Sequence, residues 1–81
     1  MQSDPKTRRL FTVSTGFLFL RERERAEAVR AFEQLSDEQR GEAYEHRLAS
    51  GIAVYFVKHT QDQTYTIMRK HEYEERRRTK K

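Results

Sequence analysis

A cationic run lies at the C-terminal end of the chain, and it is the clearest indication of a binding partner in this sequence. Five of the six residues from 76 to 81 are arginine or lysine. Clustered guanidinium and ammonium groups can neutralise the phosphates of RNA or DNA. We therefore predict contact with a nucleic-acid backbone through eight cations of the C-terminal third. They are Lys58, Arg69, Lys70, Arg76, Arg77, Arg78, Lys80 and Lys81.

Charge is distributed unevenly along the chain, although the formal net charge is only +4. Residues 1–20 carry +2, residues 21–50 carry −2 and residues 51–81 carry +4. An anionic partner should therefore meet the two basic ends rather than the acidic middle. Charged residues make up 37% of the sequence, against about 25% in a typical globular protein. The surface must then be mostly charged, and the apolar residues must cluster well to form a core.

Tyrosines stand among the cations of the same region. Tyr55, Tyr65 and Tyr73 each lie within four residues of a lysine or arginine. Aromatic rings on a sheet can stack on bases. The pattern favours a plainer interpretation, in which Tyr55 and Tyr65 are core or interface residues whose hydroxyl groups reach water.

Catalytic, metal-binding and cofactor-binding signatures are missing from the sequence. His46, His59 and His71 lie on separate segments and show no metal-binding spacing. The three glycines are scattered, so they form no glycine-rich phosphate loop. There are no cysteines, which excludes disulfides and thiolate metal sites and fits a reducing cytoplasm. We therefore predict a non-catalytic, cytoplasmic protein without a cofactor or a metal.

The N-terminal half contains three of the segments that must position these side chains. Residues 1–8 predict a loose arm, because polar residues and Pro5 leave nothing to pack. Residues 10–20 are rich in β-branched and aromatic side chains and favour a strand, with a helix that begins at Ser14 as the alternative. Residues 21–35 predict a helix, because their apolar side chains recur on one helical face.

The C-terminal half contains the remaining segments. Ser36 begins a capping box and predicts a second helix that runs to about Ala49. Residues 52–57 and 64–70 flank a polar link and predict the two strands of a hairpin. Glutamate and arginine pairs spaced four residues apart predict that the tail continues as a short helix.

These elements predict the α+β class: a small single domain with an N-terminal strand, two helices, an antiparallel β-hairpin and a basic C-terminal end. The domain spans residues 9–75, after an arm of residues 1–8 and before a basic tail of residues 76–81. A chain of 81 residues buries a small core, and without a disulfide or a metal it often depends on a partner subunit.

The hairpin predicts a surplus apolar face. If Phe56 lies opposite Ile67, the other face of the hairpin carries Tyr55, Val57 and Met68. One layer of two helices covers only one face of a sheet. The second face is therefore either an interface or the surface on which the N-terminal segment packs. This leaves open a homodimer or a protein partner bound through Tyr55, Val57 and Met68.

The order helix, helix, hairpin also fits a winged helix-turn-helix in outline. The second helix would then enter the major groove of DNA. It carries four acids against Arg40 and Arg47, and the phosphates repel an acidic helix. Sequence-specific binding by that helix is therefore disfavoured.

Two local runs resemble the last strands of the RelE-like toxins, which cleave messenger RNA on the ribosome. They are Gly51-Ile52-Ala53-Val54-Tyr55 and Arg69-Lys70-His71-Glu72-Tyr73. The order of strand, two helices, strands and a short cationic end is also similar. The resemblance implies a ribonuclease in which Arg69, His71 and Tyr73 would be the catalytic side chains.

Taken together, the residues favour a small non-catalytic regulatory protein that contacts RNA or DNA phosphates through its basic C-terminal end. The alternative is a protein–protein interaction module or a small inhibitor of the kind found among phage and plasmid accessory proteins. The RelE-like ribonuclease is a minor alternative. No membrane partner is predicted, because the apolar run Phe17–Leu20 is only four residues long, far too short to span a bilayer.

Overall fold

The computed structural model describes residues 11–79 and confirms the α+β class. The elements in chain order are β1 (Phe11–Val13), α1 (Thr15–Leu18), α2 (Glu22–Gln34), α3 (Asp37–Arg40), β2 (Ala43–Arg47), β3 (Ala53–His59), β4 (Thr64–Arg69) and α4 (Lys70–Thr79). The predicted arm of residues 1–8 lies outside the described residues, as do Lys80 and Lys81. Within the described part of the chain, no helix has the length and apolar character needed to cross a bilayer.

The strands form one mixed sheet in the order β1-β4-β3-β2. Strands β2, β3 and β4 are antiparallel neighbours, and β1 runs parallel to β4. Phe56 lies opposite Ile67 and Lys58 opposite Tyr65, which is the register assumed above for the hairpin. Because β1 and β4 are parallel, the chain leaves both strands at the same end of the sheet, and α1 and α4 begin there side by side.

One face of the sheet, here called the inner face, packs against α2. Side chains that alternate along the strands form it together with buried residues of α1 and α2, and the core comprises Phe17, Leu20, Ala28, Phe32, Leu48, Val54, Phe56, Tyr65 and Ile67. Phe32 lies at its centre, with edge-to-face ring contacts to Phe11 at 5.2 Å, Phe56 at 5.4 Å and Tyr65 at 5.1 Å. Removing such a ring from a core costs about 3–5 kcal/mol.

Arg40 is a charged residue inside this core, at 3% exposure. Its guanidinium lies over the rings of Phe32 and Tyr65, at 4.3 and 4.7 Å from their centroids. It donates to the carbonyl oxygens of Phe32 and Leu35, and it pairs with Asp37 at 2.8 Å. The sequence pattern assigns this arginine to a second helix and does not predict its burial.

The predicted second helix is wrong beyond its first turn. The capping box is present, since Ser36 Oγ accepts from the backbone N–H of Gln39. The helix nevertheless ends at Arg40, because Gly41 adopts φ 60°, a conformation open to glycine and strained for other residues. The next residues form β2, which pairs with β3 and has the alternating burial of an edge strand.

The N-terminal segment combines the two predicted alternatives. The strand is confirmed only for Phe11–Val13, and the helix that begins at Ser14 follows it. Ser14 Oγ accepts from the N–H of Phe17 at 3.1 Å, which caps α1. The helix predicted over residues 21–35 and the C-terminal helix are both confirmed, as α2 and α4.

Candidate nucleic-acid interface

Helix α4 lies against the other face of the sheet, here called the outer face. It follows β4 without an intervening residue. Its Tyr73 ring stacks on Tyr55, with centroids 4.2 Å apart and planes at 11°. Met68 is only 2% exposed although its strand neighbour Ile67 faces the inner core. In the described part of the chain, α4 therefore covers one end of the predicted surplus face.

The base of α4 is held by the carboxylate of Glu72. Glu72 Oε1 accepts from Ser14 Oγ at 2.5 Å and from the backbone N–H of Arg69 at 2.9 Å. Its Oε2 accepts from the backbone N–H of Gly16 at 2.8 Å. We call this arrangement the Glu72 clamp. It ties α4 to α1 at the end of the sheet where β1 and β4 finish.

The clamp changes the acidity of Glu72. Partial burial of the carboxyl acts to raise its pKa, but the hydrogen bonds from Ser14, Arg69 and Gly16 and the nearby His71 outweigh this. The pKa of Glu72 therefore lies below its ordinary value of 4.5. The clamp is consequently ionised at neutral pH and binds its donors with full negative charge.

The last turn of α4 carries the cations that the structure gathers in one place. Arg76, Arg77 and Arg78 are all exposed. Successive helical residues are rotated by about 100°, so the three side chains fan over about 200° of the helix surface. The guanidinium of Arg77 lies over the Tyr73 ring, 5.8 Å from its centroid. Arg77 thus contacts the stacked pair of Tyr55 and Tyr73 on the outer face.

The remaining predicted cations do not all join this turn. Lys70 is exposed at the first position of α4, about two helical turns away. Lys58 is half-buried near the far end of β3, opposite Tyr65. Arg69 lies opposite Val54 on the inner side, and its Nε is buried without a hydrogen-bond partner. The six of these cations that lie among the described residues therefore do not form a single surface.

The positive charge of Arg69 acts on the carboxylate of Glu24. The pKa of Glu24 is lowered by hydrogen bonds from the Arg21 backbone and the Ser50 side chain, and by the charges of Arg21 and Arg69. Glu24 lines a cavity of about 510 Å³ between α2 and the β2–β3 turn, together with Arg21, Arg23, Glu27, Ala49 and Ser50. Two arginines face two glutamates there, so this cavity offers no net positive field to a polyanion.

The three residues predicted to bind a protein partner lie on the outer face. Tyr55 is half-buried beneath Tyr73, and its hydroxyl donates to Glu45 at 3.0 Å. Desolvation and the Glu45 carboxylate raise the pKa of Tyr55 above its ordinary value of 10.0. Val57 is half-buried and Met68 is buried. Much of the apolar area expected at this interface is therefore already covered.

The outer face beyond α4 is polar. Thr66 Oγ1 lies 3.0 Å from Thr12 Oγ1 and 2.6 Å from His59 Nε2, so one hydroxyl bridges two neighbouring strands. Among residues 11–79, no three carboxylate, imidazole or thiol groups lie close enough together to hold a metal ion.

The residues implied by the ribonuclease resemblance do not converge. Arg69 projects to the inner side of the sheet, while Tyr73 stacks on the outer face. His71 is exposed on α4. The helix-turn-helix alternative fails for a different reason: residues 43–47 form β2, so the helix that would enter a groove does not exist.

Sequence reasoning missed one exposed aromatic residue. Phe17 and Phe19 were expected on the same side of a strand, but α1 separates them. Phe17 is 2% exposed and Phe19 is 80% exposed. The available signal was Ser14, a residue type that often caps the start of a helix. A helix that begins there turns Phe17 and Phe19 to different sides.

The chain has no match among protein-family models, curated proteins or solved structures.

Proposed function

We propose that this protein is a small regulatory protein that binds nucleic acid by contacting phosphates with the last turn of α4. The observation that carries the proposal is the exposure of Arg76, Arg77 and Arg78 on consecutive positions of one anchored helix. Guanidinium groups match phosphate geometry through paired N–H donors, and they remain charged at every physiological pH.

Anchoring makes these contacts more productive than those of a free tail. The Glu72 clamp holds the first turn of α4, and Tyr73 packs on the sheet one residue further. A phosphate that binds the last turn therefore orders only the arginine side chains and not the backbone. The entropic cost of binding is smaller for such a preorganised site.

The same arginines also complement the negative end of the α4 dipole, which by itself would stabilise the helix. Binding and stability experiments separate these two roles. A loss of helix stability lowers the melting temperature without an oligonucleotide, whereas a phosphate contact appears in the salt dependence of binding.

The test measures binding of fluorescently labelled RNA and DNA oligonucleotides by anisotropy across a salt series. The variant Arg77→Gln/Arg78→Gln removes two cations of the turn. The matched control, Arg23→Gln/Arg30→Gln, removes two exposed cations of α2, on the other side of the sheet. We expect the first variant to reduce the slope of log K against log salt by about 1.5–2, and the control by much less.

Equal effects of the two variants would reject the α4 site in favour of general charge attraction. Absence of binding by the unmodified protein would reject the proposed function. The protein-module alternative has less support, because α4 covers Tyr55 and Met68. The ribonuclease alternative also has less support, because Arg69 and Tyr73 lie on opposite faces of the sheet.

A further inference from the structure

We propose that the nucleic acid is single-stranded and that Phe19 is the platform on which an unpaired base stacks; this rests on the proposed function. Leu18 and Phe19 are exposed at 56% and 80%, whereas the phenylalanines at 11, 17, 32 and 56 lie in or against the core. These two adjacent side chains form a small exposed apolar surface that the flat apolar face of a partner can cover.

The position of Phe19 is fixed by the chain on both sides. Its backbone N–H donates to the Gly16 carbonyl at 3.2 Å, and the next residue, Leu20, is buried. The Arg25 guanidinium donates to the carbonyl oxygens of Leu18 and Leu20. The ring therefore projects from an ordered turn and not from a loose loop, as a stacking platform requires.

Phe19 and the cationic turn both lie a short distance along the chain from the Glu72 clamp. Gly16 contacts Glu72 directly, at 2.8 Å. Phe19 lies three residues after Gly16, and the arginine turn begins four residues after Glu72, so each is about one helical turn, ~5 Å along a helix axis, from the clamp. Arg21, which is exposed, follows Phe19 two positions later in the chain.

An exposed ring beside cations matches the chemistry of a single strand. Stacking of a base on an aromatic side chain is available only when the base is unpaired, while the flanking phosphates take the arginines. In a duplex the base faces are already stacked on one another. An anionic membrane surface is the competing occupant, but two apolar side chains bury too little area to hold a protein on lipid.

The experiment compares a mixed-sequence single strand of about twelve nucleotides with the matching duplex, by anisotropy at one salt concentration. We expect the unmodified protein to bind the single strand more tightly. Phe19→Ala should weaken single-strand binding about 5- to 100-fold and leave duplex binding and the salt slope unchanged. Phe19→Tyr should retain most of the affinity, and Leu18→Ala is the neighbouring control.

A direct reporter is also available, because the chain contains no tryptophan. In Phe19→Trp the indole would be the only one, and stacking on a base should quench its fluorescence with the single strand and not with the duplex. Circular dichroism of each variant checks that the fold is retained.

The outcomes separate the two proposals. Equal binding of single strand and duplex, with no effect of Phe19→Ala, overturns the stacking site, while the Arg77/Arg78 result still decides the proposed function. Binding to phosphatidylserine vesicles that depends on Phe19, with single-strand binding that does not, assigns the patch to a membrane surface and overturns the inference. Absence of binding to any oligonucleotide rejects both.

Discussion

The backbone N–H of Gly16 donates to the Glu72 carboxylate at 2.8 Å, across 56 positions of the sequence. This contact joins the first turns of α1 and α4 at the end of the parallel strand pair. It fixes where the C-terminal helix leaves the sheet, and therefore where its arginines lie. The first two predictions test it.

Glu72→Gln should destabilise the protein at neutral pH by about 1–2 kcal/mol, since it weakens charge-assisted hydrogen bonds that are partly open to solvent. The folded-state pKa of Glu72 lies below its ordinary 4.5. The ionised clamp therefore stabilises the fold above about pH 4.5, and this stability is lost as pH falls through the folded pKa. Urea denaturation at a series of pH values should show the difference between the proteins shrinking in acid. Glu75→Gln makes the same substitution at an exposed position of α4 and is the matched control, for which we expect little change in the free energy of unfolding.

Gly16→Ala should be destabilising although alanine is the better helix former. A Cβ at this position would lie 2.6 Å from the Glu72 carboxylate and displace it. We expect a net loss of about 1 kcal/mol, because the lost hydrogen bonds exceed the gain in helix propensity. In a double-mutant cycle, Glu72→Gln should then add little to Gly16→Ala. Additive effects would show that the two residues do not act as one unit.

Arg40 should be the most sensitive charged residue of the protein. Arg40→Met fills similar space but removes the guanidinium donor from the carbonyl oxygens of Phe32 and Leu35, of which only Phe32 keeps a backbone donor, the N–H of Leu35. We expect the free energy of unfolding to fall by about 2–4 kcal/mol. Arg40→Lys keeps the charge but not the flat guanidinium over two rings, and should be intermediate. A methionine variant as stable as the parent, measured by urea denaturation, would contradict this account of the core.

Tyr73 should control the acidity of Tyr55. Tyr73→Ala opens the outer face to water, so the pKa of Tyr55 should fall toward its ordinary 10.0, although the Glu45 bond remains. An NMR pH titration of the assigned Tyr55 ring resonances measures this directly, because the chain contains four tyrosines whose ultraviolet absorbances overlap. Tyr73→Phe keeps the stacked ring and serves as the control, with a Tyr55 pKa that stays raised. The alanine variant should also lose about 1 kcal/mol of stability from the lost ring pair.

Much of the fold could be predicted from local pattern. Residues 21–35 repeat their apolar side chains with the helical period, and residues 52–57 form a short run of β-branched and aromatic side chains beside a polar link. The register that pairs Phe56 with Ile67 was an assumption about the hairpin, and the sheet has that pairing. Where the apolar pattern is long and regular, the period of the side chains selects the element without help from distant contacts.

The site was less predictable than the fold. The cationic turn was visible in the sequence, but its anchor was not, since Glu72 and Gly16 meet only after the sheet has formed. Arg69 belonged to the predicted phosphate-binding set and lies instead on the inner side. Neighbouring residues in a strand point to opposite faces, so a run of cations that crosses from β4 into α4 is divided by the geometry itself.

By itself, the sequence determined the α+β class, the helix after residue 21, the pairing of β3 with β4 and the concentration of positive charge toward the C-terminal end. Only the tertiary structure decided that residues 43–47 form a strand, that Arg40 is buried and that Phe19 is exposed. Five residues are too few to distinguish a period of 2 from one of 3.6. The open edge of β3 supplies the hydrogen bonds that make a strand the more stable state there.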